Sequence, residues 1–154
     1  MRVWPSHSVF PGGKLDSHID SSPQWLKIFQ NNFTALINPN SIGTRRRQMI
    51  KDIDAEATNL PLEVSYRLCA IRETFEETGI LLARDNSDGS NHRPILLTTQ
   101  YYKNSSKLDK VKQWHEKVLL DSEKFIDMFF DLNLEPNIFA LHEWSNWSFI
   151  INHL

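Results

Sequence analysis

The segment from Pro61 to Gly79 constrains the fold more than any other part of the chain, because it reads as a single amphipathic helix. Proline is favoured at the start of a helix and glycine just past its end, so both boundaries are marked. At about 100° per residue, four apolar side chains fall on one narrow stripe, which must be buried against other structure. We therefore expect a helix that packs on a core through this stripe alone. The stripe consists of Val64, Leu68, Ile71 and Phe75.

The face opposite the stripe is acidic. On the helical wheel Glu73 lies opposite the apolar stripe, and Glu76 and Glu77 lie to either side of it. Like charges at this spacing disfavour an isolated helix by roughly 0.2–0.5 kcal/mol per pair, so a favourable interaction should offset them. A hard divalent cation would do so, because Mg²⁺ and Mn²⁺ prefer carboxylate oxygens. Arg72 precedes Glu76 by one helical turn and is placed to orient that carboxylate.

A solvated surface helix is the alternative to a metal site. Any helix with one apolar and one charged side looks similar, and such a chain would be a helical interaction module without enzymatic activity. The fixed order of one arginine, three glutamates and a glycine is more informative. It arises by chance in about one of 10⁴ chains of this length at ~6% usage of each residue. The pattern therefore favours the functional interpretation.

The remaining segments indicate a mixed α/β (α+β) fold with several short elements. Apolar and β-branched runs favour strands, and apolar residues at helical spacing favour helices. A turn is expected at Pro11–Gly13. Strands are expected at Val3–Phe10, at Ile80–Ala83 and, once or twice, within Ile138–Ile151; helices are expected from Ser22, at Lys107–Leu120 and at Ser122–Leu132.

The composition bounds the class of protein. With 154 residues, of which 40% are hydrophobic, the chain fits one domain with a substantial core. The formal net charge of −2 gives no reason to expect nucleic-acid binding. No apolar run approaches the roughly 20 residues of a membrane span, so we expect no membrane insertion. The single cysteine, Cys69, cannot form an internal disulfide and is expected to be buried in packing.

Two motifs resemble the Nudix box, the signature of the Nudix hydrolases. One motif is similar to the second half of that box: Arg72-Glu73-Thr74-Phe75-Glu76-Glu77-Thr78-Gly79-Ile80. The other motif, Phe10-Pro11-Gly12-Gly13, is similar to the turn with which the box begins. In the usual box only a short segment separates the two parts, whereas here Lys14–Leu60 intervenes as a long insertion. The insertion covers the first conserved glutamate of the box. By spacing that position is Val64, with Glu63 beside it, and we assign the role to neither.

The split box, together with the sequence CAIRETFEETGILLAR, resembles the acyl-coenzyme A diphosphatase branch of the family. Trp114-His115 and Ile138–Trp147 resemble downstream segments of that branch, and Thr74 matches the small residue usual there. The resemblance implies one partial Nudix domain over residues 1–154, with a mixed sheet sandwiched by helices and helical insertions at about 14–60 and 84–136. Because few residues precede Gly12 and the chain stops soon after Trp147, we expect an incomplete sheet and poor activity.

The resemblance also implies an activity. The chain would split coenzyme A or its acyl esters, small-molecule nucleotide-linked diphosphates, into 3′,5′-ADP and a phosphopantetheine. Mg²⁺ or Mn²⁺ would be the cofactor, and the general base would be one of the glutamates or a loop residue. The implied site has the metal ligands Glu73, Glu76 and Glu77, the catalytic residues Arg72 and Glu76, and the substrate-binding Gly12 and Gly13, whose backbone can approach closely.

Several alternatives stay open. The same helix would serve a Nudix hydrolase of another nucleoside diphosphate derivative, and the chain could also be an inactive fragment or the interaction module described above. The segment Arg45–Arg47, His7, and the pair Trp144 and Trp147 could contact substrate, but loop, structural or packing roles are commoner for such residues. The oligomeric state is left open, and mitochondria or peroxisomes are suggested as the compartment only by the resemblance.

Overall fold

The computed structural model describes residues 11–29, 60–85, 95–97 and 105–141. Outside these ranges lie the predicted strand at Val3–Phe10, His7, Arg45–Arg47, Trp144 and Trp147. Within them both helices and strands form, which confirms the expected α+β class. In chain order the elements are α1 (Ser17–Asp20), α2 (Gln24–Ile28), α3 (Leu62–Thr78), β1 (Leu81–Asp85), β2 (Ile95–Leu97), α4 (Ser105–Leu120), α5 (Lys124–Asp131), β3 (Leu134–Pro136) and a 3-10 turn at Ile138–Ala140.

The predicted helix over Pro61–Gly79 is confirmed as α3. Pro61 occupies the position just before the helix, with φ −58° and ψ 136°. Gly79 ends the helix in the left-handed conformation, with φ +70°, and its N–H donates to the carbonyl oxygen of Phe75 at 2.8 Å. Glycine adopts this conformation without the steric cost that a Cβ would bring, so the sequence marks both ends of the helix correctly.

β1 is the central strand of an antiparallel sheet with the order β2-β1-β3. It confirms the strand predicted at Ile80–Ala83. Ala83 lies opposite Ile95 of β2 and Pro136 of β3. Leu81 and Ala83 are buried while the residue between them is half-buried, so one face of β1 packs on the core. Because α3 packs on β1, the sheet supports the acidic helix.

The strand predicted after Pro136 is wrong for the part that the structure describes. β3 ends at Pro136, and Ile138–Ala140 forms a 3-10 turn. Arg67 of α3 donates to the carbonyl oxygens of Ile138, at 3.0 Å, and of Leu141. These carbonyls are thus bonded by a side chain, which holds the segment as a turn against the helix. The rest of the predicted strand segment lies outside the described residues.

An aromatic cluster joins helices from distant parts of the sequence. Trp25 of α2 meets Phe125 and Phe129 of α5 edge-to-face, with ring centroids 5.9 and 5.4 Å apart. Phe75 of α3 packs against Phe125 at a centroid distance of 6.0 Å. The indole N–H of Trp25 donates to the carbonyl oxygen of Ile19 at 2.7 Å, so its polar atom is satisfied inside the core. α2 and α5 therefore close the core beside α3.

α3 is buried on more than its apolar stripe, so the prediction of a single narrow buried face is wrong. All four stripe residues are buried as expected. The residues around α1 also lie across the helix, and the hydroxyl of Ser21 donates to that of Ser65 at 3.0 Å. A helical wheel could not show that a polar face would be covered by polar partners. The additional buried residues are Ser65, Arg67, Cys69, Arg72 and Glu73.

The other predicted helices are confirmed in place, with small shifts at their ends. α4 begins at Ser105, two residues before the predicted start. α2 begins two residues after Ser22, whose hydroxyl accepts from the N–H of Gln24 at 3.3 Å. Among the described helices, none has the length and apolar character needed to cross a membrane. α5 buries Phe125, Ile126, Met128 and Phe129.

Candidate active site

Arg72 is the centre of the acidic part of α3. Its side chain is buried, and two of its nitrogens donate to one carboxylate: Nε to Oδ1 of Asp20 and Nη2 to Oδ2 of Asp20, both at 2.9 Å. Nη2 also donates to the carbonyl oxygen of Lys14 at 3.3 Å. This two-oxygen pairing fixes the plane of the guanidinium, because arginine and carboxylate match in geometry.

The third guanidinium nitrogen faces two glutamates of the predicted site. Nη1 lies 2.8 Å from Oε1 of Glu73 and 3.2 Å from Oε1 of Glu76. The expected contact between Arg72 and Glu76 is therefore present, and Arg72 contacts Glu73 as well. The catalytic roles assigned to Arg72 and Glu76 stay predictions. What the geometry establishes is that Arg72 ties three carboxylates into one cluster.

Arg72 stays charged in this environment. Burial acts to lower the pKa of its guanidinium, but hydrogen bonds and the negative charges of Asp20 and Glu76 outweigh burial and raise the pKa above its ordinary value. A permanently charged guanidinium can hold the carboxylates around it over the whole physiological pH range.

Asp20 is the residue of this cluster that sequence reasoning missed. It ends α1 and is fully buried, and its Oδ2 atom also accepts the backbone N–H of Asp16 at 2.8 Å. The side chain of Asp16 in turn caps α1 by accepting from the N–H of His18 at 2.9 Å. The capping aspartate after the glycine turn is a sequence signal for a helix start. The pairing of Asp20 with Arg72, 52 residues away, has no signal in spacing.

The two glycines of the predicted turn have different surroundings. A Cβ on Gly13 would overlap the carboxylate of Glu73, whereas a Cβ on Gly12 would meet open space. The absence of a side chain at Gly13 therefore admits Glu73 to its place next to Arg72. We expected another group to lie close to the backbone of this turn, and at Gly13 that group is the carboxylate of Glu73. Substrate binding by Gly12 and Gly13 stays a prediction.

The three predicted metal ligands differ in their exposure, and their role as ligands stays a prediction. Glu73 is only 9% exposed and is turned toward Arg72, Glu76 is half-buried and Glu77 is exposed. In the part of the chain that is described, no three His, Cys, Asp or Glu side chains are placed to hold one metal ion. Glu73 and Glu76 both contact Nη1 of Arg72. Their chemistry still fits a hard divalent cation, which prefers carboxylate oxygens.

His115 of α4 fixes the end of the acidic helix. Its Nε2 atom lies 3.1 Å from the carbonyl oxygen of Glu76, within hydrogen-bond distance. The ring also packs edge-to-face on Phe75 at 5.0 Å and lies beside Gly79. The Trp114-His115 segment, which attracted attention only through the resemblance, is thus placed against the backbone of the proposed site.

Val64 and Glu63, the two residues at the position of the first glutamate of the box, have other surroundings. Val64 is fully buried in the hydrophobic core. Glu63 pairs with Arg67 at 3.0 Å, one turn further along the same face of α3. Val64 lies in the core and Glu63 pairs with Arg67 rather than with Arg72.

Cys69 is buried next to the cluster, which confirms the expected packing role. Its sulfur lies 3.7 Å from Nη2 of Arg72. Burial, followed by the negative charge of Asp20, raises the pKa of this thiol to about 12. The thiol is therefore protonated at neutral pH and is not a nucleophile.

Comparisons with known proteins agree with the resemblance to the acyl-coenzyme A diphosphatase branch. Proteins named acyl-coenzyme A diphosphatase NUDT19 from Xenopus laevis, Gallus gallus and Homo sapiens are 36%, 35% and 30% identical to the chain, each over 93% of it. The chain spans 37% of the length of the first of these relatives and 38% of the other two. No solved structure matches it. The family model described as the NUDT19 Nudix domain matches residues 1–152, and the chain therefore belongs to the NUDT19 Nudix domain family.

Proposed function

We propose that the chain is a metal-dependent hydrolase that cleaves the diphosphate of coenzyme A or acyl-coenzyme A. The products are 3′,5′-ADP and phosphopantetheine or its acyl ester. The observation that carries the proposal is the cluster in which Arg72 holds Glu73 and Glu76 on α3. The substrate class is supported by the name shared by the three relatives, acyl-coenzyme A diphosphatase.

The metal ligands in this proposal are Glu73, Glu76 and Glu77. Nudix hydrolases generally need a divalent metal, and we propose Mg²⁺ or Mn²⁺ because all three donors are carboxylates. Such an ion would neutralise charge on the diphosphate and lower the pKa of a bound water. Glu77 is exposed, and Glu76 is partly so, which leaves the acidic face open to ligands from solvent.

The protein's own groups supply the positioning. Hydrolysis forms one phosphorus–oxygen bond to water and breaks another in the diphosphate bridge, so the reacting groups must be held in line. Arg72 and Gly13 fix Glu73 on one side of the site, and His115 fixes the helix backbone at Glu76. Gly12 is exposed with open space around it, so a substrate could approach its backbone closely.

The test is an assay of the 154-residue chain with acyl-coenzyme A and Mg²⁺ or Mn²⁺. Chromatography should show 3′,5′-ADP as a product, and Glu76→Gln should suppress its release. Glu63→Gln, which alters an ion pair outside the cluster, is the matched control and should keep the activity. Cleavage of ADP-ribose alone would favour another Nudix substrate. No hydrolysis and no metal binding by the wild type would favour the interaction module.

A further inference from the structure

Asp20 and the two glutamates share the guanidinium of Arg72, and they contact different edges of it. The Nε and Nη2 atoms donate to the two oxygens of Asp20, each at 2.9 Å. Nη1 contacts Oε1 of Glu73 and Oε1 of Glu76. Asp20 therefore has the two-oxygen pairing that arginine makes best with a carboxylate, and the two glutamates share the remaining nitrogen, Nη1.

The contact of Asp20 with the Nε–Nη2 edge matters because of what Arg72 would do without it. A guanidinium with a free Nε–Nη2 edge turns that edge toward a neighbouring carboxylate, because a two-oxygen pair is stronger than a one-oxygen contact. Glu73 and Glu76 already lie within 3.2 Å of Arg72. A two-oxygen pair with either one would occupy both oxygens of a side chain that the proposed function needs as a metal ligand.

We propose that Asp20 is a positioning residue that acts through Arg72. By holding the Nε–Nη2 edge, it leaves one oxygen of Glu73 and one of Glu76 available to a divalent cation. The inference rests on the function proposed above. It adds to the site a residue from α1, in the segment that separates the two halves of the split box.

The surroundings of Asp20 keep it in this place. Its side chain is fully buried and accepts the N–H of Asp16 at 2.8 Å in addition to the two bonds from Arg72. The carbonyl oxygen of Lys14 also accepts from Arg72, and Gly13 lies against Glu73. The segment from Gly13 to Asp20 thus forms one wall of the cluster, and α3 forms the other.

The experiment measures Mn²⁺ binding to the full chain by titration calorimetry. Asp20→Asn keeps the size of the side chain, removes its charge and replaces one of the two acceptor oxygens by a donor, which breaks the two-oxygen pair with the Nε–Nη2 edge of Arg72. We expect Mn²⁺ to bind about 10- to 100-fold more weakly, the range typical when a residue that orients a metal ligand is replaced. Glu63→Gln is the matched control on the same helix and should leave the Mn²⁺ affinity unchanged.

Thermal unfolding with and without Mn²⁺ separates positioning from a purely structural role. A structural role alone would lower the Tm of Asp20→Asn but leave the rise in Tm caused by Mn²⁺ as large as in the wild type. A positioning role also makes that rise smaller, because the rise depends on the affinity of the folded state for the ion. The rise in Tm caused by Mn²⁺ therefore reports on the metal ligands, whereas the Tm without Mn²⁺ reports on the fold.

A double variant tests whether Asp20 acts through Arg72. Asp20→Asn with Arg72→Gln removes both buried charges, so we expect it to fold even if Asp20→Asn does not. Its Mn²⁺ affinity should equal that of Arg72→Gln alone, because Asp20 has no arginine left to hold. A further loss of about 10-fold or more in the double variant would show direct action by Asp20 and overturn the inference.

The outcomes distinguish the inference from the proposed function. Unchanged Mn²⁺ binding in Asp20→Asn, together with weakened binding in Glu76→Gln, would overturn the role of Asp20 and leave the metal-dependent hydrolase standing. Absence of Mn²⁺ binding in the wild type would overturn both.

Discussion

Helix α3 carries two buried arginines five positions apart, and their surroundings differ in kind. Arg67 pairs with Glu63 and donates to the backbone carbonyl oxygens of Ile138 and Leu141. These bonds tie the turn after β3 to the helix. The contacts of Arg67 with backbone are neutral, so they fix the fold and give no reason to expect a ligand.

Arg72, in contrast, faces three carboxylates, those of Asp20, Glu73 and Glu76. Three formal negative charges minus one positive charge leave an excess of two. Buried charge without compensation is costly, and here the excess is offset by solvent at Glu76 and, under the proposed function, by a cation. The comparison teaches that a buried arginine does not by itself indicate a functional site, and that the excess of carboxylates around Arg72 is what distinguishes it from Arg67.

The largest effect is expected from Arg72→Ala. It leaves the carboxylate of Asp20 buried without its partner, and a loss of this kind costs about 3–5 kcal/mol of the free energy of unfolding. In protein that remains folded, kcat should fall by more than KM rises, because Arg72 contacts glutamates in this structure. Urea unfolding and initial rates with acyl-coenzyme A measure the two effects. A normal kcat with a raised KM would show that Arg72 binds the substrate.

Arg67→Ala tests the arginine that bonds to the backbone, and we expect it to lower the free energy of unfolding less than Arg72→Ala does. It leaves buried carbonyl oxygens without a donor, which costs about 1–3 kcal/mol. Because the glutamates of the cluster keep their contacts with Arg72, the folded variant should bind Mn²⁺ with wild-type affinity in titration calorimetry. If its Mn²⁺ affinity fell as far as that of Arg72→Ala, the functional distinction between the two arginines would be lost.

What the sequence could predict about α3 is what local spacing determines. Pro61 and Gly79 mark its ends, the apolar stripe identifies four of its buried residues, and the pair Arg72 and Glu76 follows from a separation of one helical turn. All of these are confirmed because each depends only on helical geometry.

The rest of the cluster depends on tertiary packing, which spacing does not determine. Asp20 reaches Arg72 across 52 residues of sequence, and Gly13 reaches Glu73 only because α1 lies across α3. For the same reason a helical wheel placed Glu73 on the solvent side, although it is buried. The first residues of the strand segment expected at Ile138–Ile151 likewise form a turn, because Arg67 bonds to the carbonyl oxygens of Ile138 and Leu141.

Gly13→Ala should lower the free energy of unfolding, whereas Gly12→Ala should leave it nearly unchanged. A Cβ at Gly13 overlaps the carboxylate of Glu73, which is the end of a flexible side chain, so Glu73 should turn away and lose its contact with Arg72 at a cost of about 0.5–1.5 kcal/mol. A Cβ at Gly12 meets open space, and the stability should stay within about 0.5 kcal/mol of the wild type. Urea unfolding of both variants provides the comparison. Equal stabilities would show that Glu73 can give way freely.

At neutral pH the smallest effect is expected at Cys69, which touches the Arg72 cluster without joining its charges. Burial, and then the carboxylate of Asp20, raise the pKa of its thiol from 9.0 to about 12. The folded chain therefore holds this proton more tightly than the unfolded chain. The contribution of this proton to the free energy of unfolding is fully present below pH 9.0. It is lost as the pH rises toward about 12, because the unfolded chain then releases the proton while the folded chain still holds it. At neutral pH, alkylation of Cys69 should require unfolding. Above pH 9.0 the free energy of unfolding should fall faster in the wild type than in Cys69→Ala, whose remaining groups titrate alike. Parallel curves in urea unfolding would mean that the thiol ionises as easily in the folded chain as in the unfolded one.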